Sequence, residues 1–163
     1  MSSVPSPNRV RLSAAGSGKT TLLVRQALER PERRIAIVTY TLENLEEIRR
    51  SFEAHAGAVP AHVTLHSWYG FLLRQCIRPY QAALWPEPRI ETILFVEGVT
   101  NNRAPRTQVA RHYLAGNRMY SDRAADFAVR CDELAQGQVV ARLAAMYDEL
   151  YIDEVQDLAG FDL

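Results

Sequence analysis

The sequence predicts an α/β fold in which an open parallel sheet is flanked by helices. Three stretches of strand length are each followed by a helical pattern within residues 9–78, and this alternation is typical of parallel sheets. The second stretch, Ile35–Thr39, is a continuous apolar run of the kind that is buried on both faces of such a sheet. A loop of small residues and glycines separates the first strand from the first helix, at residues 13–20.

The first half of the chain is expected to alternate regularly between strands and helices. The expected elements lie at residues 9–13, 20–30, 35–39, 42–55 and 61–65, with a further helix from Ser67 onwards. Pro31 ends the first helix because proline cannot continue the hydrogen-bond ladder. Gly57 closes the second helix, since glycine readily adopts the left-handed conformation found after helix ends.

The pattern changes after residue 78, where prolines and turn dipeptides become frequent. We expect residues 79–147 to form a mostly helical insertion on the sheet, although residues 90–99 fit either a short helix or a short strand. Ser121 is the expected N-cap of a helix within this insertion. A short apolar strand at residues 150–152 then returns the chain to the sheet.

The length of 163 residues fits one domain with one core. We expect a disordered lead-in, a first part of the core, the insertion and a return to the core, at residues 1–8, 9–78, 79–147 and 148–163. The lead-in lacks the apolar centre of a signal peptide. The chain also has no run of about 18 apolar residues, so we expect a cytoplasmic protein without a membrane partner.

Charge and cysteine content limit the possible partners. The formal net charge is zero, so a nucleic acid would have to bind through a local basic patch. The two cysteines, Cys76 and Cys131, fit no metal-binding spacing. We expect them to be buried free thiols in a reducing compartment.

The glycine loop has the features of a phosphate-binding loop. Its residues are Ser13, Ala14, Ala15, Gly16, Ser17, Gly18, Lys19, Thr20 and Thr21. Small residues let successive backbone N–H groups turn towards an anion, and the following helix directs its positive end to the same place. Lys19, the only lysine in the chain, would reach the terminal phosphates of ATP, and the Thr20 hydroxyl would bind Mg²⁺.

An acidic pair follows the last predicted strand. Asp153 and Glu154 come directly after an apolar run, at the strand end where open α/β sheets place their ligand chemistry. Nucleotide hydrolysis needs one carboxylate to hold Mg²⁺ and another to orient and deprotonate water. We therefore assign the metal to Asp153 and the base to Glu154. The alternative is a solvated acidic turn, which the phosphate loop upstream makes less favourable.

With its flanks, the acidic pair resembles motif II of superfamily 1 DNA helicases of the UvrD/Rep type, as Tyr-Ile-Asp-Glu-Val-Gln-Asp at residues 151–157. That family also begins its phosphate loop with a small residue, as Ser13 does here. Val-Thr-Tyr-Thr at residues 38–41 looks like motif Ia, and Thr-Leu-His-Ser at residues 64–67 looks like motif Ib. The resemblance implies a RecA-like P-loop NTPase core, and it places the family's 1B-like subdomain at the insertion.

The resemblance also implies a path for single-stranded DNA or a single-strand–duplex junction. The residues that would line it are Tyr40, Thr41, Thr64, His66 and Arg74. A ring at Tyr40 could stack on a base, worth roughly 1–3 kcal/mol, although packing at the core edge is its alternative role. An alternative role for His66, about equally favoured, is to cap the start of the helix that follows it. Gln156 would sense the γ-phosphate and couple it to DNA.

The sequence departs from the family at several points. No glutamine precedes residue 9, where the family has its adenine-contacting glutamine, and Leu42 replaces the asparagine of motif Ia. The later motifs are absent, so we expect a chain truncated after motif II, with an incomplete sheet. Missing C-terminal helicase domains, or a partner that supplies them, would then be needed for unwinding.

The sequence therefore predicts the ATP-binding portion of an ATP-dependent DNA helicase, with ATP and Mg²⁺ as cofactors and little unwinding by this chain alone. The main alternative is a non-catalytic nucleotide- or DNA-binding fragment, or a partner-dependent half of an enzyme. A small-molecule P-loop kinase is a third possibility, which the run after Asp153 disfavours.

Overall fold

The computed structural model describes residues 18–100 and 103–154. The helices are α1 (Lys19–Leu28), α2 (Leu42–Ala56), α3 (Trp68–Phe71), α4 (Val109–Tyr113), α5 (Ala124–Leu134) and α6 (Gln138–Met146). The strands are β1 (Ile35–Thr39), β2 (Val63–Ser67), β3 (Thr92–Leu94), β4 (Leu114–Ala115), β5 (Arg118–Tyr120) and β6 (Glu149–Ile152). The strand predicted at residues 9–13 lies outside the described residues.

A parallel sheet of three strands, in the order β2-β1-β6, forms the centre of the fold. Ile35 aligns with Val63 on one side and with Glu149 on the other. All five residues of β1 are buried, as expected of a central strand with helices on both faces. The predicted α/β class, with a parallel sheet flanked by helices, is confirmed.

Local signals in the sequence place the first two helices. α1 starts after Gly18, which has a φ of 76°, and it ends ahead of Pro31. The α2 helix ends at Gly57, which has a φ of 77° and donates its N–H to the Glu53 carbonyl. Both helices pack on one face of the sheet, where Val24, Ile48 and Phe52 are fully buried.

The strand predicted at residues 61–65 is displaced towards the C-terminus, to Val63–Ser67. The reason is a turn, in which the Val63 N–H bonds to the Pro60 carbonyl at 2.9 Å. Pairing with β1 therefore begins with the Ile35 N–H bonded to the His62 carbonyl. The shift brings His66 and Ser67 into the strand.

The helix that follows β2 begins as an α-helix and continues as a π-helix. Ser67 caps α3 by accepting a hydrogen bond from the Gly70 N–H at 3.3 Å. The next six residues, Leu72–Ile77, form a π-helix, in which hydrogen bonds join residues five rather than four positions apart. The buried side chains of the π-helix form a hydrophobic cluster with Phe127 and Cys131 of α5. This cluster is separate from the one that contains Val24, Ile48 and Phe52.

The segment expected to be mostly helical, residues 79–147, also contains a small second sheet in the order β3-β5-β4. Thr92 aligns with Arg118 in a parallel pair, and Leu114 aligns with Met119 in an antiparallel pair. The ambiguous stretch at residues 90–99 thus contains a strand, Thr92–Leu94.

Ser121 does not cap a helix as predicted. It lies in a 3₁₀ turn, Ser121–Arg123, and its hydroxyl accepts a hydrogen bond from the Val96 N–H at 3.1 Å. The α5 helix begins three residues later, after Arg123, without a side-chain cap. The hydroxyl therefore ties the end of β3 to the start of α5 rather than closing a helix.

An ion pair fixes the start of β6. The Arg34 guanidinium and backbone N–H both bond to the Asp148 carboxylate, at 2.8–3.2 Å. These hydrogen bonds lower the pKa of Asp148 to about 2. Because Arg34 directly precedes β1, the contact sets the register of β6 and thus the position of the acidic pair at its other end.

Both cysteines are buried and free, as predicted. Burial raises the pKa of Cys76 and of Cys131 to about 12 in each case. Within the part of the chain that the structure describes, each helix is too short or too polar to cross a bilayer.

Candidate functional site

The acidic pair and the start of α1 meet at the carboxyl edge of the parallel sheet. Because β1, β2 and β6 are parallel, the residues that follow them lie along the same edge. The Nζ atom of Lys19 lies 2.8 Å from Oε1 of Glu154. Two regions that are far apart in the sequence are thus joined where the sequence predicted a nucleotide site.

Gly18, Lys19, Thr20 and Thr21 are the part of the predicted phosphate loop within the described residues. Gly18 adopts the left-handed conformation and directly precedes α1, whose first residue is Lys19. The threonines are half-buried in the first turn of this helix, where backbone N–H groups have no intrahelical partner. The remaining predicted loop residues, Ser13 to Ser17, lie outside the described residues.

The backbone turns sharply at the acidic pair. The Asp153 N–H donates to the Val38 carbonyl at 2.9 Å, which is the last step of the ladder between β6 and β1. Glu154 then has a φ of 55°, a conformation that is uncommon for a residue other than glycine and that often marks functional positions. This turn carries the Glu154 carboxylate towards Lys19.

The electrostatics at Asp153 favour a nearby cation. Burial raises the pKa of Asp153, and the Glu154 carboxylate raises it further, while Lys19 acts in the opposite direction. The neighbouring Thr39 is 1% exposed, and its hydroxyl has no hydrogen-bond partner among the described residues. A cation close to Asp153 would offset both the loss of hydration and the repulsion between the carboxylates.

Thr20 and Asp153 are the residues from which the sequence predicts Mg²⁺ binding. No group of three or more histidine, cysteine or acidic residues positioned to hold a metal occurs within residues 18–100 and 103–154. Mg²⁺ commonly uses one or two protein oxygens together with phosphate oxygens and water. Thr20 lies in the first turn of α1 and Asp153 directly follows β6, and each carries a side-chain oxygen of the kind that Mg²⁺ uses.

Three aromatic side chains lie at and beyond the carboxyl end of β1. Tyr40 follows this strand directly, and its hydroxyl shares a hydrogen bond with the Tyr69 hydroxyl at 3.0 Å. The two ring centroids are 5.7 Å apart. Tyr69 also contacts Phe95 edge to face, at 5.0 Å between centroids. Tyr40 is half-buried. Its side chain packs against the hydrophobic cluster and is also partly accessible to solvent.

The predicted DNA-binding threonines occupy different surroundings. The Thr41 hydroxyl accepts a hydrogen bond from the Asn44 N–H at 3.1 Å and thereby caps α2. Thr64 is exposed on β2. Thr41 thus has a structural role at the carboxyl edge, beside its predicted DNA contact.

His66 lies beneath the surface, while Arg74 reaches solvent. His66 is 5% exposed, and its Nε2 atom lies 3.2 Å from the Tyr147 hydroxyl. Burial lowers the pKa of His66, and the nearby Arg74 lowers it further. Nδ1 of His66 has no hydrogen-bond partner among the described residues. A DNA strand on this surface would meet Arg74 before His66.

Sequence reasoning did not identify Tyr69, Phe95 or Thr39 as site residues. Tyr69 lies just after β2 and Tyr40 just after β1. Because these two strands are neighbours, the contact between the tyrosines could have been predicted from the pairing of the strands. Phe95 lies in the stretch that fitted either a helix or a strand, and no local signal indicated its partner. Gln156 lies outside the described residues.

No protein-family model matches the chain, and neither a curated protein nor a solved structure matches it.

Proposed function

We propose that the chain is the ATP-binding portion of an ATP-dependent motor that moves on single-stranded DNA, and that in the intact enzyme hydrolysis is coupled to unwinding. The observation that carries this proposal is the contact between Lys19, at the start of α1, and Glu154, at the end of β6. A phosphate-binding cation and a carboxylate base are needed together at one place for nucleotide hydrolysis.

Each residue of the site has a proposed role in that chemistry. Lys19 pairs with the terminal phosphates as a compact charge, which suits a narrow loop better than a guanidinium fork. Thr20 and Asp153 would hold Mg²⁺, which would neutralise part of the phosphate charge, and ATP would supply the phosphoryl group. Glu154 orients water and accepts its proton. Gln156 remains the predicted γ-phosphate sensor.

The DNA part of the proposal is supported by the position of Tyr40. This residue follows β1, while Asp153 follows the neighbouring β6. A base stacked on Tyr40 would therefore lie on the same sheet edge as the proposed nucleotide site. Further domains, or a partner, would supply the opposite wall of that site and drive strand separation.

A second candidate function is nucleotide binding without hydrolysis. It is favoured by the pairing of Lys19 with Glu154, because an engaged base is not free to activate water. This alternative predicts binding of Mg-ATP but no DNA-stimulated release of phosphate.

The proposal is tested by measuring the binding of a fluorescent ATP analogue with Mg²⁺ to Lys19→Ala. We expect binding to weaken at least about tenfold, since hydrogen bonds to charged groups contribute about 1.5–3 kcal/mol. Arg25→Ala is the matched control, because Arg25 is an exposed cation in the last turn of the same helix. Equal affinity in the Lys19 and Arg25 variants would refute the phosphate site.

The two candidate functions are separated by phosphate release from ATP, measured with and without oligo-dT. Release that rises with oligo-dT supports the motor. Nucleotide binding without release under either condition supports the non-catalytic alternative.

A further inference from the structure

Tyr69 and Phe95 form an aromatic surface next to the proposed DNA contact at Tyr40. The Phe95 ring is 70% exposed and touches Tyr69 edge to face. Tyr69 in turn reaches Tyr40 through the hydroxyl contact at 3.0 Å. Three rings thus lead from the carboxyl edge of the parallel sheet to the end of β3, and the outermost one is the most accessible to solvent.

The helix that carries Tyr69 runs antiparallel to the segment that carries Phe95. At the far end of this helix, Arg78 donates from Nε to the Ile90 carbonyl at 2.9 Å and from Nη2 to the Glu91 carbonyl. At the near end, Tyr69 contacts Phe95. The helix and this segment are therefore joined at two points, at Tyr69–Phe95 and at Arg78–Ile90.

The π-helix places cations on the outer side of this helix. Leu72, Leu73, Cys76 and Ile77 face the core, whereas Arg74 is exposed and Arg78 half-buried. Arg74 folds back over Gly70, since a Cβ atom at Gly70 would lie 2.7 Å from Nη2 of Arg74. The guanidinium group therefore lies against Gly70, the residue that follows Tyr69 in the chain.

Arg78, at the far end of the helix, is influenced by two other arginines and one acidic group. Burial lowers the pKa of Arg78, and the charges of Arg89 and Arg74 lower it further, whereas Glu91 raises it. Arg89 directly precedes Ile90, whose carbonyl accepts from Arg78, so an exposed cation flanks the contact that Arg78 makes. Arg89 and Arg74 are exposed, so an incoming anion could reach both of them and offset their positive charge beside Arg78.

From this geometry we propose that Tyr69, Phe95, Arg74, Arg78 and Arg89 form an aromatic–arginine strip that binds single-stranded DNA. A base stacks on the exposed Phe95 ring, and phosphates of the same strand bind the three arginines. The strip rests on the proposed function, because it extends the path that starts at Tyr40. It leads the strand off the sheet and onto the insertion, away from the nucleotide site.

An aromatic surface flanked by guanidinium groups is the combination that binds single strands without sequence preference. Stacking requires an accessible base face, which duplex DNA does not offer along its length. The strip should therefore prefer a single strand over a duplex of the same sequence.

The test uses the full chain and measures fluorescence anisotropy of labelled oligo-dT at several salt concentrations. Phe95→Leu keeps an apolar side chain without the ring and should weaken binding at least about fivefold, whereas Phe95→Tyr keeps the ring and should bind as the wild type does. Val140→Ala is the matched control, since Val140 is 61% exposed on a different helix. Equal binding by Phe95→Leu and the wild type would overturn the strip.

The arginines are tested through the salt dependence of the same binding. Arg74→Ala and Arg89→Ala should each lower the slope of log affinity against log salt by about 0.7. Arg50→Ala, at an exposed position on α2, should leave the slope unchanged. Unchanged slopes in the Arg74 and Arg89 variants, or equal affinity for duplex DNA, would also overturn the strip.

Failure of the strip can be distinguished from failure of the proposed function. If oligo-dT binds and only the strip variants behave as the wild type, the strip is refuted while Tyr40 and the nucleotide site stand. If the wild type binds the ATP analogue but no oligo-dT, both the strip and the DNA part of the proposed function are refuted. Binding of the ATP analogue is measured on every variant and should not change.

Discussion

The Nζ atom of Lys19 lies 2.8 Å from Oε1 of Glu154, and this ion pair joins the start of α1 to the end of β6. The two side chains are 30% and 23% exposed, so water screens their attraction and the pair contributes little net stability. A phosphate group carries more charge than a carboxylate and can displace Glu154 from Lys19. Entry of phosphate would then release the carboxylate that is needed to activate water.

This exchange predicts opposite effects of Glu154→Gln on binding and on hydrolysis. The amide keeps the shape of the side chain but does not compete with phosphate for Lys19, so Mg-ATP should bind several-fold more tightly. Phosphate release should fall by about 10²–10⁴-fold, the usual contribution of a general base. Both are measured on the same preparation, by titration with a fluorescent analogue and by single-turnover phosphate release.

Glu53→Gln is the matched control, since Glu53 is exposed on α2. It should leave both quantities unchanged. Weaker nucleotide binding by Glu154→Gln would mean that the carboxylate supports the site rather than competing with the phosphate.

Thr41 has two roles that substitution can separate. Thr41→Ala removes the hydroxyl that caps α2 and should lower the free energy of unfolding by about 1 kcal/mol, as measured by urea denaturation. Thr41→Asp keeps an oxygen that accepts from Asn44 and should retain stability. Its negative charge should nevertheless weaken oligo-dT binding if Thr41 contacts the DNA backbone.

Thr41→Ser controls for both measurements, because it keeps the hydroxyl and adds no charge. Full stability in Thr41→Ala would argue against the cap. Oligo-dT binding by Thr41→Asp at the wild-type level would remove Thr41 from the predicted DNA path.

Elements specified by neighbouring residues were predictable from the sequence. The apolar run of β1, the end of α2 at Gly57 and the strand before Asp153 each depend on local composition, and each lies where the sequence indicated. The meeting of Lys19 with Glu154 agrees with the expectation that a phosphate loop and an acidic pair lie together where an open α/β sheet places its ligand chemistry.

Features that depend on distant partners were not predictable in the same way. The hydroxyl of Ser121 accepts a hydrogen bond from the Val96 N–H, 25 positions away. The local signal for an N-cap at Ser121 therefore led to a wrong prediction. The small sheet pairs Thr92 with Arg118, and no local pattern encodes that pairing. His66 is likewise buried by contact with Tyr147, 81 positions along the chain.

The burial of His66 predicts a specific loss of stability in mild acid. Its pKa is lowered first by burial and then by Arg74, so the unfolded chain binds a proton more readily than the folded chain does. Stability from the neutral imidazole is therefore present above the ordinary pKa of about 6.5, and it is lost as the pH falls through the lowered pKa of the folded state. His66→Phe should show a smaller fall in melting temperature between pH 7 and pH 5 than the wild type does. Tyr147→Phe removes the hydrogen bond but leaves His66 buried, so it should melt lower at every pH and keep the wild-type slope. A wild-type slope in His66→Phe would show that other groups cause the acid sensitivity.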